Sequence, residues 1–207
     1  LVFLAIILVG TGLLMLPASS QSGEGCSFLD ALFTATSASC VTGQVVRDTA
    51  TYWSSFGHVV IITLIQIGGL GFMTIATLFF LACRKRMGLR KRAVMVESIS
   101  YSQVAGILSF VKKIIFGTLL FEGVGAVLLS IRFIPEFGLG RGIAYSIFHA
   151  ISAFCNAGFD LMGIREPYIS FCDYSGDWLV SGTLMFLIVM GGLGFMVWDD
   201  LLQKKHL

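Results

Sequence analysis

LFTATSASCVTGQVV at 32–46 and IFHAISAFCNAGFDL at 147–161 share Phe, Ala, Ser, Ala, Cys and Gly in register, six of fifteen positions. Downstream of each lies a second matched pair. LIQIGGLGFMTI at 64–75 faces LIVMGGLGFMVW at 187–198, with eight of twelve residues identical. Matches that recur in the same order mark a duplicated unit. In the first copy, the apolar run Leu1 to Leu16 stops at Pro17, where a missing amide donor and a fixed φ end a helix. A short helix is predicted from Ser27 to Ser39, opened by a capping box of Ser27 and Asp30. It is too short to span a membrane. An extended stretch, Cys40 to Val46, and a long apolar segment from Phe56 to Cys83 complete the copy. The second copy repeats the order: an apolar segment from Ile114 to Pro135, a short one from Ile143 to Ala153, then Phe154 to Leu161, then a span from Trp178 to Trp198.

Composition supplies the solvent for these segments. Of 207 residues, 56% are hydrophobic and only 13% charged, too apolar for an ordinary soluble domain. A helix needs about 20 apolar residues to cross the hydrocarbon core, and several stretches approach that length. The expected fold is therefore an all-α polytopic membrane protein with at least four crossings. Its parts are a first unit at 1–83, a basic linker at 84–113, a second unit at 114–200 and a terminal segment at 201–207. The chain opens at Leu1 inside an apolar run, and the reading is that of a truncated sequence that continues beyond residue 207. Five cysteines, three of them in or beside membrane segments, do not form a disulfide framework. Cys26 and Cys172 fall in loops on one side, where free thiols are the commoner outcome.

Each unit crosses twice, so both copies have the same orientation and the repeat is parallel. Basic residues identify the sides. Arg84, Lys85, Arg86, Arg90, Lys91, Arg92, Lys112, Lys113, Lys204 and Lys205 lie on one, and Arg47, Arg132, Arg141 and Arg165 on the other. Ten against four places the linker in the cytoplasm and the half-spans at the outer face of the cell membrane. A net charge of +2 gives no argument for nucleic acid, and the RKRMGLRKR run reads as a topology signal.

A half-span that turns back as non-helical chain exposes backbone at membrane depth, which is tolerated where it lines a water-filled path or is buried in protein. Carbonyls there can replace the hydration shell of a large cation. Gly43 and Gly158 occupy matched positions in uncharged stretches, as such a lining requires. The half-helices also aim the negative ends of their dipoles at the centre. The segments Ser39-Cys40-Val41-Thr42-Gly43 and Phe154-Cys155-Asn156-Ala157-Gly158, each followed by GGLGF, resemble the Trk/Ktr/HKT superfamily of potassium transporters, the bacterial Ktr and Trk membrane subunits most of all.

The resemblance implies four span, pore-helix, span units around one pathway, of which this chain supplies two. It implies a homodimer of such subunits in the lipid bilayer, a cytoplasmic nucleotide-binding regulatory partner, potassium as the transported ion and no covalently bound cofactor. The backbone carbonyls of Cys40, Val41, Thr42 and Gly43, and of Cys155, Asn156, Ala157 and Gly158, would be the ion-binding groups. In sodium-selective plant relatives the first filter glycine is replaced by serine, so Gly43 favours potassium. Gating in the family belongs to a third unit.

Other residues carry weaker signals. Glu122, in mid-span, is costly in lipid and so functional by default, but its neighbours Gly123 and Gly125 point to close helix packing, and a structural hydrogen bond, to a pore-loop backbone for example, is favoured over direct ion binding. His58 and His149 lack partners at metal-ligand spacing. Asp160 is either a cation attractor at the outer mouth or a solvated loop carboxylate. The glycines at 68, 69, 71, 191, 192 and 194 lie within apolar spans, where small residues admit a neighbouring backbone, rather than in a nucleotide loop. Two alternatives stand beside potassium uptake: a sodium-selective member of the same superfamily, and an intramembrane enzyme using Glu122 and His149.

Overall fold

The computed structural model describes residues 2–71 and 101–193, with backbone alone for 101–111. The GGLGF continuations, the basic run and the expected ends at Cys83, Trp198 and Lys204 to Lys205 lie wholly or partly outside these residues. The described chain is helical, and its one β contact is an isolated bridge between Ser20 and Trp53.

α1 (Val2–Leu14) ends three residues before Pro17, which opens a 3-10 turn, Pro17–Ser19, instead of being the stop itself. α2 (Phe28–Ser39) starts where expected. The Ser27 hydroxyl accepts the Asp30 N–H at 3.1 Å, satisfying an amide with no partner inside the helix. Asp30 does not complete the box; its carboxylate takes Arg47 at 3.0 Å. α3 (Thr49–Tyr52) is capped by Asp48, and α4 (Ser55–Gly69) by Ser54.

α5 (Tyr101–Phe137) begins well before Ile114 and carries Pro135 inside it. The lysine pair at 112 and 113 interrupts hydropathy but not helix propensity. Pro135 costs little because the helix ends two residues later, so the missing amide removes one bond from the last turn. Gly138, at φ 82°, then reverses the chain into α6 (Leu139–Phe154), which starts four residues before the expected Ile143. A Cβ at Gly142 would press on the backbone of Ile134 at 2.6 Å, so glycine lets the two helices meet at this corner. α7 (Trp178–Leu193) is opened by Asp177, whose carboxylate accepts the N–H groups of Leu179 and Val180 at 3.0 and 3.2 Å.

Packing follows two clusters. α1, α2 and α4 surround Leu14, Trp53, Ile61 and Ile65, while α5, α6 and α7 surround Leu129, Phe133, Val180 and Leu187. The outward faces are also apolar: Leu8, Val59, Phe116, Val127 and Val189 are all exposed. A helix apolar on every side is buried in protein or in lipid. Within the described residues, 112–137 is the stretch long and apolar enough to cross a bilayer, and α1, α4 and α7 are shorter apolar helices.

Candidate functional site

α2 and α6 end in the same way. Cys40 and Cys155 donate to the carbonyls four residues back, Val41 and Asn156 to those three back, and Thr42 and Ala157 to those five back. This is the Schellman termination, with Val41 and Asn156 in the left-handed position that glycine ordinarily fills. Their φ values are 50° and 58°. For valine, a β-branched residue, such a conformation is a genuine outlier, and strain of this kind concentrates at functional sites. The sequence-based expectation of extended chain from Cys40 is therefore corrected. The first two residues complete a helix cap, and left-handed residues recur at Gly43 (φ 71°) and Gly158 (φ 74°).

Positive φ at 41 and 43, and at 156 and 158, alternates with negative φ at the residue between, the kind of alternation that brings successive N–H groups to one side. The first three N–H groups of each segment are spent on the helix. The carbonyls of Cys40, Val41, Thr42 and Gly43, and of Cys155, Asn156, Ala157 and Gly158, accept no hydrogen bond from any described residue. The segments meet glycine to glycine. A Cβ on Gly43 would stand 2.5 Å from the Ala157 carbonyl oxygen and 3.2 Å from Gly158 Cα.

The glycine pairs of α4 and α7 back these segments. A Cβ on Gly68 would strike the Ser39 carbonyl, and one on Gly191 the Phe154 carbonyl, which are matched positions in the two copies. Gly69 reaches across to the Cys155 side chain of the other segment. Close packing through small residues, expected from the sequence, is what Gly68, Gly69 and Gly191 do. Side chains complete the brace. Ser37 and Thr42 share a hydroxyl bond of 2.9 Å, the Ser152 hydroxyl donates to Phe159 O at 2.6 Å, and Asn156 Nδ2 donates to Ile188 O at 3.3 Å.

Glu122 makes a structural hydrogen bond, but to a different partner from the pore-loop backbone. Gln66 Nε2 on α4 donates to its Oε2 at 3.3 Å. His149 is buried with both ring nitrogens engaged: Nδ1 donates to Tyr145 O at 2.7 Å and Nε2 accepts the Leu161 N–H at 2.9 Å. That fixes the neutral tautomer and leaves neither nitrogen to act as a base. The ring sits edge-on to Phe133, Phe148 and Phe171 and holds the chain beyond Gly158 to α6. Asp160 accepts the Met162 N–H at 3.0 Å, and burial pushes its carboxyl above the usual range, which weakens it as a cation attractor.

One tie between the two copies was invisible in the sequence. Asp48, besides capping α3, accepts the Tyr168 N–H at 2.9 Å from the second copy, and Gly163 packs against its carboxylate. Nearby, Arg132 bridges Glu136 and Asp177, and Arg165 bridges Glu136 and Asp173. The described thiols at Cys26, Cys40, Cys155 and Cys172 are free.

Against known proteins, the chain matches the TrkH family, described as cation transport protein, over residues 3–207. It is 46% identical over 201 residues to the potassium/sodium uptake protein NtpJ of Enterococcus hirae, covering 97% of this chain and 44% of that protein. It is 42% identical to Ktr system potassium uptake protein B of Bacillus subtilis (99% of this chain, 44% of that one) and 42% identical to its namesake in Vibrio alginolyticus (96% and 42%). The chain thus spans under half the length of these relatives. On the family match along nearly its whole length, the chain belongs to the TrkH family of cation transport proteins.

Proposed function

We propose that this chain forms two walls of a potassium pathway in the cell membrane, with the carbonyls of residues 40–43 and 155–158 as the ion-binding groups. The observation that carries the reading is the meeting of two strained turns at Gly43 and Gly158, with eight carbonyls that take no donor from any described residue. Carbonyls that no helix takes up are free to replace water around an ion, and a weakly hydrated cation is the partner such oxygens suit. The negative ends of α2 and α6 point at the same place.

In this reading the turns open to the outside, the basic linker faces the cytoplasm, and the complete subunit has four such units. It works as a homodimer with a cytoplasmic nucleotide-binding regulatory subunit, and the word system in the names of two relatives supports more than one component. Sodium is the second reading, favoured by the name of the potassium/sodium uptake relative, while glycine rather than serine at 43 favours potassium. Rubidium uptake by the full-length protein in liposomes, with potassium, sodium and lithium as competitors, tests the proposal. Uptake blocked by potassium and little affected by sodium is expected, and equal competition by sodium overturns the potassium assignment.

A further inference from the structure

Of the four cations on the filter side, Arg47, Arg132 and Arg165 each hold a carboxylate. Arg141 is exposed and has no acidic partner among the described residues. It stands at the lip of a groove of about 800 Å³ between α4 and α6. That volume lies within the range of about 300–1,000 Å³ typical of small-molecule sites.

The two helices run in the same direction. Their C-terminal ends meet where Gly69 touches Cys155, and His58 in the first turn of α4 lies against Phe148 in the second half of α6, with ring centroids 6.1 Å apart. The groove is therefore graded along its length. Its lip, at the start of both helices, carries Thr51 and Ser55 on one side and Gly140 and Arg141 on the other. Further along, Val59 and Ile62 face Ile147 and Phe148. Val59 and Ile147 remain open to the surroundings, at 60% and 47% exposure. A polar, cationic lip over an apolar trough between parallel helices has the shape and polarity of an anionic amphiphile.

We propose that this groove is a phospholipid site, with an anionic phosphodiester headgroup at Arg141 and one acyl chain lying along Val59, Ile62 and Ile147. Charge complementarity selects the anionic lipid over a zwitterionic one, and the unpaired guanidinium offers the fork that suits phosphate oxygens. The bilayer supplies the ligand. The site stands independently of the ion pathway; only its assignment to the outer leaflet rests on the orientation proposed above. The same groove separates the pore-helix start of one copy from the inner span of the other, so a bound lipid would wedge the two copies at a fixed distance.

The test uses the full-length protein in nanodiscs of phosphatidylglycerol and phosphatidylcholine with identical acyl chains. Extraction into mild detergent and native mass spectrometry then count the lipids retained. The wild type is expected to keep phosphatidylglycerol in preference. R141Q should lower that preference about fivefold, the effect of one cation at an anionic interface. R141K should restore it. A144F, which fills the groove from its exposed wall, should reduce retention of both lipids. Equal retention of the two lipids by the wild type, an unchanged preference in R141Q, or undiminished retention in A144F overturns the proposal. So does the absence of any retained lipid, the outcome if the rest of the longer protein covers the groove. Because the readout is bound lipid, a failed ion-selectivity assay leaves it unaffected.

Discussion

Replacing Gly43 by serine separates two contributions that the matched position Gly158 allows to be measured independently. Both glycines sit in the left-handed region, at φ 71° and 74°. A side chain there costs about 1–2 kcal/mol in either place. Their surroundings differ. A Cβ on Gly158 would find Gly43 Cα at 3.5 Å, an ordinary contact, whereas a Cβ on Gly43 would lie 2.5 Å from the Ala157 carbonyl oxygen. That is about 1 Å inside the contact distance of ~3.5 Å, so the two segments must part or the carbonyl must turn. Overpacking of this kind costs a further ~1–3 kcal/mol. Gly43→Ser should thus weaken the site by about 2–5 kcal/mol and Gly158→Ser by about 1–2 kcal/mol. With tenfold per 1.4 kcal/mol, discrimination of rubidium against sodium should fall at least tenfold for Gly43→Ser and by less for Gly158→Ser. Gly43→Ala distinguishes the displaced carbonyl from an effect of the hydroxyl and should behave like serine. Ion competition in liposomes, on variants whose folding is checked by size exclusion, gives the ratios. An unchanged ratio in Gly43→Ser, or a larger loss in Gly158→Ser, refutes the reasoning.

Three further outcomes follow from the contacts around the site. Gly191→Ala drives a Cβ into the Phe154 carbonyl and should lower thermal stability by about 1–3 kcal/mol, whereas Gly182→Ala, with open space at its Cβ, should be neutral or slightly stabilising; equal melting temperatures for the two would contradict the contact. Glu122→Leu leaves the Gln66 amide without its described partner and should cost about 1–3 kcal/mol, while Glu122→Gln keeps a carbonyl acceptor and should recover most of it; a glutamine variant as unstable as the leucine would show that charge, not the hydrogen bond, is what matters. Asp177 is held below the usual carboxylate range by the Val180 amide first, then by Arg132 and the Leu179 amide. Its contribution to stability is full above the unfolded carboxylate value of about 4 and is lost as pH falls through the lower folded value. Melting curves from pH 7 to pH 3 should therefore show an acid-side loss that Asp177→Asn reduces, and an identical pH profile in the variant would remove Asp177 from the account.

The sequence made α2 readable because every determinant was local: Ser27 lies three residues from the amide it caps, and the helix residues that follow are contiguous. Its termination was not readable, since Val41 is a residue whose own preference is extended chain. The local cap bonds from Val41 and Thr42, together with the close approach of Gly68 to the Ser39 carbonyl, hold a β-branched residue left-handed at the end of that helix. The start of α5 was misplaced for a different reason. Hydropathy marks where a helix meets lipid, and lysines at 112 and 113 mark that boundary without ending the helix. Asp48 escaped notice, and His149 reads in the sequence as a candidate ligand or catalytic group rather than as a brace, because their partners are settled by the fold: Tyr168 is 120 residues away from the first, and Leu161 lies beyond the turn from the second. The glycine pairs were legible as packing residues, but which backbone each would meet was not.

The glycine contacts also bear on the ion site proposed at these strained turns. Carbonyls that must exchange water for a cation need to be held where the ion wants them before it arrives, since any reorganisation on binding would erase the gain. Here each turn is fixed from three sides. The helix behind it takes its first N–H groups, and a serine one turn from the helix end ties it back, through Thr42 in one copy and Phe159 in the other. A glycine of the following span bears on the carbonyl just before it. The fourth side is the other copy at Gly43 and Gly158, and the remaining directions are open. An ion touching only these two turns would keep part of its charge facing lipid or water, at a cost of several kcal/mol in a membrane. Two such turns therefore orient carbonyls without enclosing an ion. Enclosure would require further walls of the same kind, as the four-unit subunit proposed above would supply.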